Sequence, residues 1–393
     1  MKLSYKNTMV SCFVGYVVLA VINNFIPLLF VYFENTYAIP LRKITLLITI
    51  NFCVQLFVDF LCTKFVDRIG YRASIVFSHI CAAAGLVLLT VLPQCMDPFL
   101  GILIAVVVYA VGGGVIEVLV SPIVESCPTD NKEKAMSLLH SFYCWGHVGV
   151  VLLSSLFFRF AGIEKWWLLA LLWAVIPIVN GCVFVKTPIA TLLPAGEKGM
   201  SVKSLFKSKA FWVLMLMMLC AGASEQSVVQ WVSAFAEKGL GVPKAVGDLA
   251  GPLMFAVFMG CARAFYGKFG DRIDLRAFML ASAVLCVTAY VLACLVPSPV
   301  VNLIGCGLCG LSVGILWPGT FSLASKALRT GGTAMFALLA LTGDLGCSGG
   351  PTLVGMVSDA AGGNMKAGLI SAIAFPGILI MCLLLFGKKR SPA

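Results

Sequence analysis

Twelve apolar runs follow one another along this chain, each close to the ~20 residues that an α-helix needs to cross a bilayer. They lie near 9–33, 43–65, 73–93, 98–125, 135–160, 165–186, 210–235, 246–267, 276–296, 299–324, 332–358 and 366–386. None sustains a period-two alternation, and many are too long or too glycine-rich for strands, so the expected structure is all-α. In lipid every backbone N–H and C=O needs an internal partner, which a helix supplies to itself. The first run exceeds a signal-peptide core and lacks a small-x-small cleavage site, so it reads as a retained span. Composition agrees: 60% of the 393 residues are hydrophobic and 11% charged, where a soluble domain carries about a quarter charged. A soluble enzyme and a disordered chain are both excluded by these proportions.

Orientation follows from Lys and Arg, which resist translocation. With the N-terminus inside, twenty of the 28 basic residues fall in inner loops and ends, among them Lys64, Arg68, Arg72, Lys203, Arg272 and Lys388. Seven fall outside (Arg42, Lys43, Arg159, Lys165, Lys238, Lys244 and Lys366), and Arg263 lies within a span. Both termini are therefore expected in the cytoplasm, with the chain a multi-pass protein of the plasma (cell inner) membrane. The net charge of +11 is a topology signal, and no nucleic-acid partner is implied.

The longest polar stretch, 187–209, divides the spans six and six. It suggests an N-terminal bundle over 1–186, an inner linker containing a short amphipathic helix, and a C-terminal bundle over 210–393. The 16 cysteines are scattered through apolar runs and read as small apolar residues. Cys306 and Cys309 in "GCGLCG" sit mid-run, so no metal or other cofactor is expected there.

One segment recurs. "TKFVDRIGYRAS" at 63–74 returns as "GKFGDRIDLRAF" at 267–278, with Lys64/Lys268, Asp67/Asp271, Arg68/Arg272 and Arg72/Arg276 at one constant offset. Both copies fall between the second and third spans of their half. Duplicated halves in a polytopic chain are the signature of a carrier that rocks about a central site.

These residues resemble the signature of the major facilitator superfamily, of the form G-x-x-x-D-R-x-G-R. The first copy keeps Asp67, Arg68, Gly70 and Arg72 with Thr63 at the leading position; the second keeps Gly267, Asp271 and Arg272 with Asp274 at the later glycine. The resemblance implies twelve helices in two pseudo-symmetric halves, with spans one, four, seven and ten lining a cavity. It also implies a conformational role for Asp67, Arg68, Asp271 and Arg272 at the inner side. Arg72 and Arg263 join that gating set. Shorter segments resemble the fucose–galactose–glucose symporter group: "GGGVIEVLVSP" with Glu117 and Pro122, "AMSLLHSFYCWGHVG", "GASEQSVVQW" and "GDLGCSGGPTLVG". That group uses a span-one Asp in proton coupling, whereas span one here holds Asn23 and Asn24 and no acid. Sodium coupling, a single-carboxylate proton mechanism through Glu117, and facilitated diffusion stay open.

A charge near the bilayer midplane costs about 2.5–3.5 kcal/mol on insertion scales, so each intramembrane ionisable residue needs a reason. The acids are Asp59, Glu117, Glu225 and Asp344; the bases are His79, His140, His147 and Arg263. Asp59, two turns before Asp67, is expected in the same inner charge network. Glu117 and His140 fall at similar depth, about 7–8 Å and roughly 10 Å to the inner side of the midplane by helical rise. They are read as a protonation switch or as a static packing pair. Glu225 with Gln226, Gln230 and Trp231 offers acceptors, donors and an aromatic face of the kind sugar hydroxyls and C–H faces require. Trp231 also suits an interfacial anchor. Asn23, Asn24, Gln55 and Trp317 are further substrate candidates. Asp344 lies in the Gly343–Gly350 stretch, where close helix approach would bury it. His79 reads as structural. Arg263 is expected to snorkel inward or pair with Asp271.

The function expected is alternating-access transport of a small polar solute, a sugar or similar, by a monomer in a lipid bilayer, with a proton or sodium gradient as driving force. Efflux of amphipathic compounds is the alternative within transport. A membrane enzyme is disfavoured by the absence of HExxH, GxSxG and P-loop patterns. A non-transporting sensor would have little reason to retain buried acids.

Overall fold

The computed structural model describes residues 4–39, 41–190, 192, 199–232, 235–236, 240–241 and 252–388. Lys2, Lys198, Lys238, Lys244, Lys389 and Arg390 of the charge pattern lie outside the described residues, as do parts of the expected linker and of the seventh and eighth spans. Every long element among those described is a helix. Ten helical stretches are long and apolar enough to cross a membrane. The eleventh expected run is the 29-residue helix Gly332–Ala360, whose polarity comes from residues such as Thr342, Asp344, Ser348 and Thr352. The eighth is represented by Met254–Phe269.

The chain divides into two compact units. The first gathers Met1–Thr129, Phe142–Gly199 and Gly332–Ala337. It contains α1 (Tyr5–Asn24), α2 (Phe30–Tyr37), α3 (Leu41–Ile69), α4 (Tyr71–Cys95), α5 (Pro98–Ser126), most of α6 (Lys132–Ala161) and α7 (Trp166–Lys186). The second comprises Asp130–Ser141, Met200–Gly331 and Leu338–Ala393. Its helices are α8 (Val202–Lys207), α9 (Lys209–Val229), α10 (Met254–Phe269), α11 (Leu275–Leu295), α12 (Pro299–Val313), α13 (Leu316–Ala327), most of α14 (Gly332–Ala360), α15 (Met365–Ser371) and α16 (Ala374–Lys388). The inner ends of α6 and α14 thus belong to the opposite unit from the rest of each helix.

Between helices in lipid the hydrophobic effect is weak, so close packing and hydrogen bonds set the arrangement. In the first unit α4 and α5 approach until backbones touch: a Cβ at Gly112 would stand 2.5 Å from the Ser78 carbonyl oxygen. His79 serves the same packing. Its Nδ1 donates to the Ile75 carbonyl at 2.7 Å, and its Nε2 accepts from Asn180 Nδ2 at 2.9 Å. Asn180 in turn donates to the Ser11 carbonyl, so three helices share one network. The opposite faces are apolar and open: Phe57, Phe77, Ile80, Leu172, Val175 and Val179 are all exposed, as lipid-facing positions should be.

Local chemistry explains the breaks. Asp97 caps α5 by accepting from the Leu100 N–H at 2.9 Å, with Pro98 at the first helical position. Span one is interrupted after Asn24 by a 3₁₀ turn, Ile26–Leu29, around Pro27. Among the described residues of the linker α8 forms, its Ser201 hydroxyl accepting from Ser204 N–H.

Candidate functional site

In the first unit, α1 and α3 bring three carboxamides together. Asn23 Oδ1 accepts from Gln55 Nε2 at 2.8 Å and from Asn51 Nδ2 at 3.1 Å. Gln55 Nε2 also reaches Asn51 Oδ1 at 3.2 Å. Asn51 and Gln55 are four residues apart on one face of α3. The cluster leaves the Asn23 amide nitrogen and the Gln55 carbonyl without partners among the described residues, one donor and one acceptor. Asn24 turns away, its Nδ2 donating to the Ala20 carbonyl of its own helix. On α5, Glu117 is the one position between Gly112 and Glu125 that is not fully buried. Asp59 is 0% exposed, whereas Asp67 at the helix end is open. Two turns along α3 separate a residue enclosed by neighbouring helices from one at the membrane surface.

In the second unit the centre is Arg263. Its Nη2 donates to Glu225 Oε2 at 3.2 Å, its Nη1 to the His140 carbonyl at 3.1 Å and its Nε to the Gly314 carbonyl at 2.8 Å. The side chain neither snorkels nor pairs with Asp271, contrary to the sequence expectation. The reason lies in α13: Pro318, four residues after Gly314, has no N–H to donate back, so the Gly314 carbonyl is an orphan acceptor that a guanidinium can fill. The Ser137 hydroxyl donates to the Arg263 carbonyl at 2.7 Å. The His140 ring lies 5.9 Å from Phe321, which meets Trp317 edge-on at 6.4 Å. A continuous path therefore runs Glu225–Arg263–His140–Phe321–Trp317.

The other residues beside Glu225 divide. Gln226 and Gln230 bond to each other at 3.2 Å on the open face of α9. Trp231 donates its indole N–H to the Pro351 carbonyl at 3.0 Å and packs on Gly355, which ties it to α14 as an anchor. A Cβ at Gly343 would run into the Trp317 ring, so the glycines of α14 create the close approach. Asp344, the next residue, stays half-buried, so that approach does not enclose it.

At the inner ends the repeat segments play matching parts. Asp67 Oδ1 accepts from the Thr333 hydroxyl at 2.7 Å, in the first turn of α14, and Tyr71 shares that hydroxyl at 2.5 Å. Asp271 accepts from Asn131 Nδ2 at 2.9 Å and forms an ion pair with Lys134, both at the start of α6. Each aspartate thus sits at a helix N-terminus, where the dipole favours negative charge. The Lys134 ammonium, then Asn131, hold the Asp271 carboxyl below its ordinary range. Glu133 accepts from the Tyr266 hydroxyl at 2.9 Å and pairs with Lys326. Arg68 and Arg272 are exposed and make no hydrogen bond among the described residues. Arg72 departs from the gating expectation. Its Nη1 donates to the Phe184 and Val185 carbonyls at 2.8 and 2.7 Å, clasping the C-terminus of α7, where carbonyls lack helical partners. Arg276 does the same near the end of α16, donating to the Leu383 and Leu384 carbonyls.

Two sets of membrane helices bearing duplicated charge segments, with polar groups held among the spans, are features shared by membrane carriers built from repeated halves. The chain belongs to the Major Facilitator Superfamily, whose sequence pattern matches residues 10–351. Membrane protein MosC of Rhizobium meliloti is 23% identical over 395 aligned positions, covering 99% of this chain and 92% of that protein. Among solved structures, the E. coli fucose:proton symporter FucP superposes with a TM-score of 0.80 at 17% identity, covering 99% of this chain and 100% of that one. The proton:xylose symporter XylE, bound to 6-bromo-6-deoxy-D-glucose, gives 0.80 at 11% identity over 99% and 96%. At such identities the likeness concerns the fold: an all-helical, twelve-span transporter architecture.

Proposed function

We propose that this protein is a secondary transporter of a small polar solute, a sugar or sugar-like polyol, driven by a proton or sodium gradient and oriented with both termini in the cytoplasm. The observation that carries the reading is the carboxamide cluster of Asn23, Asn51 and Gln55, which presents an unpartnered donor beside an unpartnered acceptor. A hydroxyl donates and accepts at once, so such a pair matches a polyol and suits an amphipathic cation poorly. Within the first unit Glu117 is a further polar candidate; Trp317, with its aromatic face, and the Gln226–Gln230 pair are the candidates within the second. The fucose and xylose symporters that share the fold favour the same substrate class.

Coupling is assigned to the Glu225–Arg263 pair. Proton or sodium capture by the Glu225 carboxylate screens its charge from Arg263, which retains two carbonyl partners and stays seated. Glu117, in the first unit, is a second candidate carboxylate for coupling. The inner contacts of Asp67 and Asp271 act as a latch worth a few kcal/mol, since a stronger one would stall the exchange of access states.

Proteoliposome uptake of labelled hexoses and pentoses, with an imposed proton gradient, an imposed sodium gradient or neither, tests this. Gradient-stimulated uptake of at least one sugar is expected. Uptake indifferent to both gradients would leave a uniporter, and accumulation of hydrophobic dyes in place of sugars would overturn the reading.

A further inference from the structure

A groove of about 580 Å³ opens on the first unit at the membrane face that the charge bias assigns to the cytoplasm. It runs between the start of α4 and the end of α7. Its walls are apolar: Ile69, Phe77, Ile80 and Val185 line it, and each is more than half exposed. Its polar element is Arg72. Both Nη1 hydrogens of Arg72 are engaged by the Phe184 and Val185 carbonyls. The remaining donors, one on Nε and two on Nη2, have no partner among the described residues. The Nε–Nη2 edge is the side of a guanidinium that takes an anionic pair of oxygens bidentately. The clasp on α7 thus fixes the fork with its anion-binding edge free, so little side-chain entropy is lost on binding.

We infer that this groove binds an acidic phospholipid of the inner leaflet, its phosphate on the free edge of Arg72 and an acyl chain along Phe77 and Ile80. The depth fits. Phe77 and Ile80 are five and eight residues into α4 from Arg72, which places them about 8 and 12 Å deeper along the helix axis, where acyl carbons begin. Charge complementarity selects the headgroup. Exposed Arg68 and Lys186 adjoin the groove residues Ile69 and Val185 in sequence, while the Asp67 carboxylate is engaged by Thr333. An anionic glycerol headgroup is attracted there and a choline ammonium is not. Arg276 provides an internal control, because it also clasps a helix end but does so with its Nε and Nη2, which leaves no free Nε–Nη2 edge for a phosphate.

The test uses the purified full chain in dodecyl maltoside micelles doped with palmitoyl-oleoyl-phosphatidylglycerol, with the matching phosphatidylcholine, or with soluble glycerol phosphate. Bound lipid is counted by native mass spectrometry and stabilisation by thermal melting. Phosphatidylglycerol should be retained and should raise the melting midpoint, with the other two additives inert. Ile80→Trp, a lipid-facing change that fills the groove, should weaken phosphatidylglycerol binding about tenfold while leaving the melting point in undoped micelles unchanged. Arg72→Lys keeps the charge and loses the fork, and should weaken it comparably; Arg276→Lys should not. Equal binding of both lipids, binding of glycerol phosphate alone, indifference to Ile80→Trp, or an equal loss in Arg276→Lys would each overturn the assignment.

Discussion

Arg263 and Glu225 form an ion pair, Nη2 to Oε2 at 3.2 Å, with side-chain exposures of only 4% and 12%. At that burial the desolvation of two charges rivals their attraction, so the pair adds little net stability, yet loss of either partner strands the other. The same contact is therefore weak as a brace and strong as a switch. The coupling role proposed for the pair requires that combination, because neutralising one carboxylate must change the interaction inside the membrane without unfolding the protein.

The first expectation follows directly. Glu225→Gln removes a carboxylate partner from a buried guanidinium and should destabilise the protein by about 1–3 kcal/mol. The double variant Glu225→Gln/Arg263→Met removes both charges and should recover most of that loss. Melting in detergent measures all three. A double variant as unstable as the sum of the two single changes would show that the residues are not energetically coupled.

The carboxamide cluster predicts a different pattern. If the cluster recognises a hydroxylated solute as proposed, Gln55→Leu removes an acceptor from it and should raise the KM for that solute about tenfold, the cost of leaving one polar group unmatched. Asn51 still bonds Asn23, but its own carbonyl loses the Gln55 donor, so the melting point should fall by no more than the cost of one unmatched buried group. Uptake kinetics alongside melting separate the two effects. A large fall in melting with an unchanged KM would make the cluster a packing element.

How much of this was readable in advance depends on which residues are considered. The runs around α4 and α5 and the Asp67/Asp271 repeat are local patterns; the helices lie where those runs do, and both aspartates meet partners at helix N-termini. Arg263 is the opposite case. Its seat depends on a carbonyl 51 residues away, left free by a proline in another helix, and no periodicity reports that. Asn51 went unnoticed because a single Asn in an apolar run has no signal of its own; its four-residue spacing from Gln55 was the available clue. Trp231 was ambiguous between substrate platform and anchor until its indole N–H was seen on Pro351. Arg72 sits inside a gating signature yet clasps α7, because the carbonyls at that helix end need donors and the sequence does not show that they lie beside α4.

Asp271 makes a pH prediction with a fixed sign. Lys134 and Asn131 hold its folded-state pKa below the ordinary value, so its contribution is complete above that ordinary value, about 4. The contribution is then lost as pH falls through the lowered folded-state value, where the carboxyl takes up a proton. Wild-type melting should therefore decline on acidification with a component that Asp271→Asn lacks. Identical pH profiles for the two proteins would show that this contact contributes nothing measurable, as exposed ion pairs often do.

Thr333 offers the sharpest test of the latch. Its hydroxyl donates to Asp67 at 2.7 Å and accepts from Tyr71 at 2.5 Å, so a single side chain satisfies two groups on the first half of the sequence. Thr333→Val keeps the β-branched shape and removes only the oxygen. Asp67 then loses a charge-assisted hydrogen bond, worth about 1.5–3 kcal/mol in general, which under the proposed latch stabilises one access state alone. The equilibrium should shift about tenfold or more toward the state with the inner side open. Double electron–electron resonance between spin labels at the inner ends of α3 and α14 reads that population directly. Wild-type transport rates with an unshifted distance distribution would remove this hydroxyl from the mechanism and leave Asp67 held by the helix dipole alone.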